Sequence, residues 1–249
     1  MKAKFQKIRP ASGFSSIFHV LFTIALPLLV YVFVRINLVQ LAIILVLLSK
    51  WRMLAVRPRH WPAYIRANAV DMIAGISFVI FMSQTNSVVW QLIWTLSYAV
   101  WLLLIKPSNT IYGMSAQALV AQLLGLMALY TKWGGEPLIV LVLGTWVICY
   151  FCARHFFSSF DDSYGRFLGD YWAFFAGALA WLLGHWLIFY GIVAQPVLLL
   201  NVLGFGMGTL YYLIQDGRLT KLVSRQIVFI MIAVVVVVLA FSQWSDTVI

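Results

Sequence analysis

Nine hydrophobic runs follow one another along this chain, separated by short polar gaps. They occupy residues 17–34, 38–56, 67–82, 88–105, 112–130, 137–153, 169–190, 197–214 and 227–244. At a rise of 1.5 Å per residue, a helix of about 20 residues crosses a hydrocarbon core of about 30 Å. Each run therefore predicts one transmembrane helix, and the gaps are too short to hold a soluble domain.

The lysines and arginines fall on alternate gaps between these runs. Fifteen of the seventeen share one predicted side of the membrane. They are Lys2, Lys4, Lys7, Arg9, Lys50, Arg52, Arg57, Arg59, Arg66, Lys106, Arg154, Arg166, Arg218, Lys221 and Arg225. The other side holds only Arg35 and Lys132. Because positive charge near span ends is retained in the cytoplasm, this split predicts the amino terminus inside and the carboxyl terminus outside.

The predicted fold is therefore all-α, a polytopic transmembrane helical bundle of about nine spans that forms a single integral membrane domain over residues 1–249. Hydrophobic residues make up 63% of the chain and charged residues 10%. In a soluble domain about a quarter of the residues are charged. The chain has no Asn-x-Ser/Thr glycosylation sequence, which fits a multi-pass protein of a bacterial plasma membrane.

The net charge of +10 is spread over the ends of the runs. This distribution predicts contact with anionic lipid headgroups at the cytoplasmic face and no binding of nucleic acid. Residues 50–66 form the most basic segment, and its arginines are the candidate headgroup contacts: Arg52, Arg57, Arg59 and Arg66. Pro58 and Pro62 predict that this segment is not one continuous helix.

Asp71 lies about one turn inside the third run, where an ionisable residue costs free energy. It shares a helix face with Ala67 and Gly75, and small residues on its face predict that it points toward other helices. A proton, a cation or a substrate amine could bind there. Alternatively, the carboxylate pairs with Arg66, Arg52 or another arginine of the cytoplasmic end and locks the bundle.

The seventh run places an acid, glycines, an indole and an imidazole on one helix face. These residues are Asp170, Phe174, Gly177, Trp181, Gly184 and His185. Such a stripe is typical of a polar path across the membrane, and a packed seam between helices produces the same pattern.

Two amides lie inside other runs, Gln122 in the fifth and Asn201 in the eighth. Asn201 precedes Gly204 and Gly208, whose spacing favours close packing of two helices. An unwound stretch whose carbonyl groups bind a substrate is the alternative for these glycines.

The gap before the seventh run concentrates carboxylates at the predicted cytoplasmic face. Asp161, Asp162 and Asp170 could hold Mg²⁺ for a reaction on a diphosphate. However, Asp162, Arg166 and Asp170 are spaced by four residues, which an ordinary helical ladder of salt bridges explains. We favour the ladder and predict no metal site.

Three functions are compatible with these residues. We favour a small-solute transporter whose polar path between helices is lined by Asp71, Gln122, Asp170, Trp181, His185 and Asn201. The alternative is a membrane-embedded enzyme that acts on a lipid or lipid-linked phosphate at the cytoplasmic face, through His155, Asp161, Asp162 and Asp170. The third is a membrane assembly subunit without catalytic activity. The motifs and their spacings predict no cofactor, and we expect Cys149 and Cys152 to be packed, reduced thiols.

Overall fold

The computed structural model describes residues 14–51, 55, 57–160, 162–185, 189–190 and 193–242. Almost all of this part is helical. The helices are α1 (Phe14–Arg35), α2 (Val39–Leu48), α3 (Trp61–Ser83), α4 (Val88–Val100), α5 (Ile111–Trp133), α6 (Leu138–Phe157), α7 (Gly165–Gly184), α8 (Gln195–Gln215) and α9 (Lys221–Phe241). A 3₁₀ turn, Pro58–His60, precedes α3, and a π-helical turn, Trp101–Ile105, extends α4.

Seven of these helices are long and apolar enough to cross a membrane, beginning with the α3 segment Pro58–Ser83 and ending with α9. The apolar segments Val20–Arg35 and Val39–Leu48 are shorter. The chain is thus an all-α membrane protein built as a helical bundle. Nine crossings and the cytoplasmic amino terminus stay predictions.

The boundaries of α2 and α3 differ from the apolar runs. Helix α2 ends at Leu48, although the run continues to residue 56, and Lys50 turns into the bundle to pair with Asp71. Helix α3 begins at Trp61 rather than at residue 67. Pro62 lies in its first turn, where the missing N–H would have no intrahelical partner, so the proline does not interrupt the helix.

Helix α7 ends at Gly184, six residues before the end of its run. A short antiparallel hairpin follows, formed by β1 (Phe189–Tyr190) and β2 (Val193–Ala194). His185 consequently caps the end of α7 and does not lie inside it.

The middle of the bundle is formed by α3, α5 and α6. Helices α1, α2 and α4 pack around α3 on one side, and α7 packs along α6 on the other. Small buried residues make the α6–α7 contact close: Gly169, Ala173, Ala176, Ala180 and Gly184. Helix α8 packs on α5 and α7, and α9 packs chiefly on α8.

At one end of the bundle, side-chain contacts link α2 and α4 to α3, and α5 to α6. Lys50 after α2 and Lys106 after α4 both reach Asp71, which lies about halfway along α3. Gln117 near the start of α5 bonds to His155 near the end of α6 at 3.0 Å. We call this end of the bundle, with its lysines and arginines, the basic end.

Candidate functional site

Two adjoining cavities lie at the basic half of the bundle, around the second half of α8. The larger, of about 520 Å³, lies between α5 and α8 and is rimmed by the exposed side chains of Tyr112 and Phe205. The smaller, of about 140 Å³, lies among α5, α6, α7 and α8. Both are lined by Leu119, Phe156 and Gly208. We call the two cavities together the groove, whose larger part falls within the usual size range of small-molecule sites.

The serine, threonine and asparagine side chains on the wall of the larger cavity are hydrogen-bonded to their own helix, α5 or α8. Ser115 donates to the carbonyl of Ile111 at 2.8 Å, and Thr209 donates to that of Phe205 at 2.8 Å. The Asn201 amide donates to the carbonyl of Val197 at 2.7 Å. Because these donors already have acceptors, the surface facing the cavity is dominated by carbon.

Tyrosines cluster where the groove meets the basic end. Tyr112 lies in the first turn of α5, Tyr171 in the second turn of α7, and Tyr211 and Tyr212 in the last turns of α8. Tyrosine combines an apolar ring with a hydroxyl that prefers water or headgroups. The groove therefore has an amphipathic mouth and an apolar interior.

The smaller cavity ends toward the membrane centre at a buried cluster of hydrogen bonds. The indole N–H of Trp172 donates to Oε1 of Gln122 at 3.0 Å, and Nε2 of Gln122 donates to the carbonyl of Leu200 at 3.3 Å. Gln122 is ten residues along α5 from Tyr112, or about 15 Å along the helix axis. This length is about half the thickness of a hydrocarbon core of about 30 Å.

Gly204 permits the Gln122–Trp172 contact. A Cβ atom at this position would lie 2.9 Å from Nε2 of Gln122 and 3.2 Å from Cζ2 of Trp172. Helix α8 continues without interruption through Gly204 and Gly208, so neither glycine lies in an unwound stretch. Gly204 is closely packed against the neighbouring helices. Gly208 is less confined, since a Cβ there would have its nearest neighbour, Phe156, at 3.5 Å.

The end of α8 is anchored by an aromatic cluster at the mouth of the groove. The ring of Tyr211 packs edge-on against Phe156, Phe157 and Phe160 at centroid distances of 5.0–6.0 Å. Its hydroxyl donates to the carboxylate of Asp162. This hydrogen bond, together with one from the backbone N–H of Tyr164, lowers the pKa of Asp162 below its ordinary value.

Asp71 belongs to a separate cluster at the basic end. Its Oδ1 accepts from the indole of Trp101 at 2.9 Å, and its Oδ2 pairs with Lys50 and, at 2.8 Å, with Lys106. The carboxylate thus has charged partners from other helices, as an acid that locks helices together would, but they are the buried Lys50 and the partly exposed Lys106 rather than arginines. Arg66 instead donates to the carbonyl of Pro62 at 3.1 Å.

The structure does not bring the six residues of the predicted polar path together. Gln122 and Asn201 line the groove, and Asp71 lies in its own cluster among α2, α3 and α4. Asp170 and Trp181 are exposed on α7, and His185 is exposed at the end of that helix. The imidazole of His185 lies 2.7 Å from the carbonyl oxygen of Trp181.

Of the arginines predicted to contact lipid headgroups and the aspartates considered for a metal site, those that the structure describes lie in the loops at the basic end and in α3 and α7. Arg57, Arg59 and Arg66 are exposed near the start of α3, and Arg52 lies outside the described residues. Asp161 also lies outside them. Within the ranges that the structure describes, no three His, Cys, Asp or Glu side chains are grouped closely enough to hold a metal ion. Cys149 and Cys152 are buried, unpaired thiols in α6.

Three residues that organise these sites escaped the sequence interpretation: Trp172, Tyr211 and Lys106. Trp172 carried one usable signal, because a buried indole N–H needs an acceptor and Gln122 offers one within a run. Lys106 carried another, as the single cation between the fourth and fifth runs. Nothing in the sequence relates Tyr211 to Asp162, 49 positions apart.

The chain was compared with known proteins by sequence and by fold. No known protein family, no curated protein and no solved structure matches it significantly.

Proposed function

We propose that this membrane protein is a carrier for an amphiphilic, lipid-like molecule, which binds in the groove with its tail inward and its polar end at the tyrosines. The observation that carries the proposal is the groove wall. Polar side chains such as Ser115, Asn201 and Thr209 are bonded to their own helices, so the wall offers carbon to a ligand. An apolar wall favours a hydrocarbon tail over a hydrated solute.

The geometry gives less support to a transporter of small polar solutes. Of the six residues in the predicted polar path, only Gln122 and Asn201 line the groove. Gln122 already bonds to Trp172 and to the carbonyl of Leu200. We therefore still favour a carrier, but we propose an amphiphile as its substrate instead of a small polar solute.

The closed end of the groove is compatible with carriage across the membrane. The smaller cavity of the groove reaches from Tyr171 and Tyr211 to the Gln122–Trp172 hydrogen bond. A carrier that is open to one side has this form, because its site must be closed to the other side at that moment. Movement of α8 relative to α5 and α7 would transfer the polar end past Gln122.

The test is transfer of a fluorescent phospholipid, labelled on its acyl chain with nitrobenzoxadiazole, between the leaflets of proteoliposomes. Dithionite added outside bleaches only the outer leaflet, so transfer appears as additional loss of fluorescence. We expect the wild-type protein to accelerate this loss and Gly208→Leu, which fills the groove beside Phe156, to slow it several-fold.

Gly135→Leu is the matched control. Gly135 lies in the loop between α5 and α6, and a Cβ there meets nothing within 4 Å. This variant should transfer lipid at the wild-type rate. A wild-type rate equal to that of protein-free vesicles would rule out the carrier.

A membrane-embedded enzyme acting on a lipid-linked phosphate is the second candidate. It is favoured by the carboxylate of Asp162, which Tyr211 holds beside the mouth of the groove. Release of phosphate from a long-chain isoprenoid diphosphate in the presence of Mg²⁺ should then be lost in Asp162→Asn and kept in Asp170→Asn. If the wild-type protein neither transfers lipid nor releases phosphate, the assembly subunit becomes the favoured function.

A further inference from the structure

Two ammonium groups share one carboxylate at the basic end, outside the groove. Lys50 and Lys106 both pair with Oδ2 of Asp71, the latter at 2.8 Å. The other carboxylate oxygen, Oδ1, accepts from Trp101. Both oxygens are thus engaged, and by formal charge the cluster carries one unit of positive charge in excess.

This excess charge has one accessible side. The side chains of Lys50 and Asp71 are 10% and 11% exposed, whereas that of Lys106 is 42% exposed. Among the acids that the structure describes, Asp71 alone pairs with either lysine. Like charges on one oxygen repel each other, and buried charges are normally neutralised by a partner. A second anion beside Lys106 would complete the neutralisation.

The position of the cluster indicates which anion is at hand. Lys106 follows the last residue of the π-helical turn, Ile105, and lies at the end of an apolar helix. Lipid phosphates are concentrated at this level of a membrane, and cations near its surface attract them. An ammonium group has three N–H donors, so the contacts of Lys106 with Asp71 and Lys50 leave at least one donor for a phosphate oxygen.

We propose that Lys106, supported by Lys50, forms a binding site for a phosphate group, carried by a lipid headgroup or free in solution. The phosphate lies against the exposed side of Lys106 and balances the second ammonium of the cluster. The site is separate from the groove, which is built from α5 to α8, so it does not depend on the proposed transport.

Native mass spectrometry of the full-length protein released from micelles tests the site. The probe is phosphatidylglycerol, and the measurement is the apparent affinity of the retained lipid. We expect Lys106→Gln to weaken retention by about fivefold, since one cation near an anionic headgroup is removed. Lys106→Arg should keep it. The Lys50–Asp71 pair remains in Lys106→Gln, so the variant should fold, which circular dichroism verifies.

Lys221→Gln is the matched control, because Lys221 is an exposed lysine at the basic end, in the first turn of α9. It should retain phosphatidylglycerol as the wild type does. Equal retention in Lys106→Gln and Lys221→Gln would overturn the proposal, and so would loss in Lys106→Arg.

A competition with inorganic phosphate, at constant ionic strength against chloride, identifies the source of the phosphate group. Displacement of the lipid from the wild-type protein, absent in Lys106→Gln, supports a site that also accepts free phosphate. Retention of the lipid against millimolar phosphate, with the Lys106 dependence intact, supports a site for a lipid headgroup. A lipid affinity that is independent of Lys106 contradicts both.

Discussion

The indole N–H of Trp101 donates a hydrogen bond of 2.9 Å to Oδ1 of Asp71, 30 positions earlier in the chain. Trp101 is fully buried in the π-helical turn that extends α4, and Asp71 is buried about halfway along α3. With Lys50 and Lys106 on the other oxygen, one carboxylate ties α3 to α4 and to the end of α2. A buried network of this kind is costly to break at one member, since the others keep their charge.

Replacing Asp71 by alanine should therefore destabilise the folded protein. The variant leaves the ammonium group of Lys50 buried and the Trp101 N–H without its acceptor, and we expect a loss of about 3 kcal/mol. Thermal unfolding in detergent, followed by circular dichroism, measures it. Asp170→Ala is the control, because Asp170 is likewise an aspartate within a helix, α7, but is exposed. Equal stability of the two variants would contradict a locking role for Asp71.

Two glycines in α8 should respond oppositely to alanine. Gly204→Ala brings a Cβ to 2.9 Å from the Gln122 amide and should cost about 1–2 kcal/mol through overpacking. Gly208→Ala places its methyl at ordinary contact distance from Phe156, 3.5 Å. It should be neutral or stabilise by up to about 1 kcal/mol, because alanine favours a helix over glycine.

Thermal unfolding measures both variants, and each serves as the control for the other. Both replace a glycine of α8 by alanine, so they differ only in the space around the new methyl group. A stable Gly204→Ala protein would mean that Gln122 and Trp172 can move apart at little cost. The hydrogen bond at the closed end of the groove would then be weak.

The helices were predictable because length and apolar composition are local properties of the chain. Even so, α2 ends at Leu48, well before its apolar run does. Lys50, which follows α2, forms an ion pair with Asp71, which lies much later in the sequence. Local composition carries no information about such a contact.

The partner of Asp71 illustrates the same limit. Arg66 is a near neighbour in sequence, but five residues along a helix turn its side chain about 140° away from Asp71. Lys50 and Lys106 come from other helices and face the carboxylate directly. The groove is still harder to foresee, since it depends on how far α8 stands from α5 and α7. Gly204 brings α8 close to Gln122 and Trp172 at one end, and Tyr211 packs against Phe157 of α6 at the other.

The carboxyl group of Asp162 should titrate at a lower pH than an ordinary aspartate. Its folded-state pKa is lowered, so its contribution to stability is present above the unfolded-state pKa of about 4. That contribution is lost as the pH falls through the folded value. Tyr211→Phe removes the hydroxyl donor and should raise the pKa of Asp162 toward the ordinary value.

Carboxyl chemical shifts of ¹³C-aspartate-labelled protein, recorded across the acidic range, measure this change. Tyr212→Phe is the control, because Tyr212 contacts Phe160 at a centroid distance of 6.4 Å and the bond to Asp162 comes from its neighbour. A shift of the Asp162 titration in both variants, or in neither, would contradict the assigned hydrogen bond.

The predicted membrane topology can be tested with the two loops that flank α6. Ser158 and Gly135 are exposed at opposite ends of this helix. If α6 crosses the membrane with the basic end in the cytoplasm, Gly135→Cys should react with a membrane-impermeant maleimide added outside intact cells. Ser158→Cys should react only after the membrane is made permeable. The native thiols give little background, because Cys149 and Cys152 are buried. Labelling of Ser158→Cys in intact cells would reverse the orientation, and labelling of both variants would mean that α6 does not span the membrane.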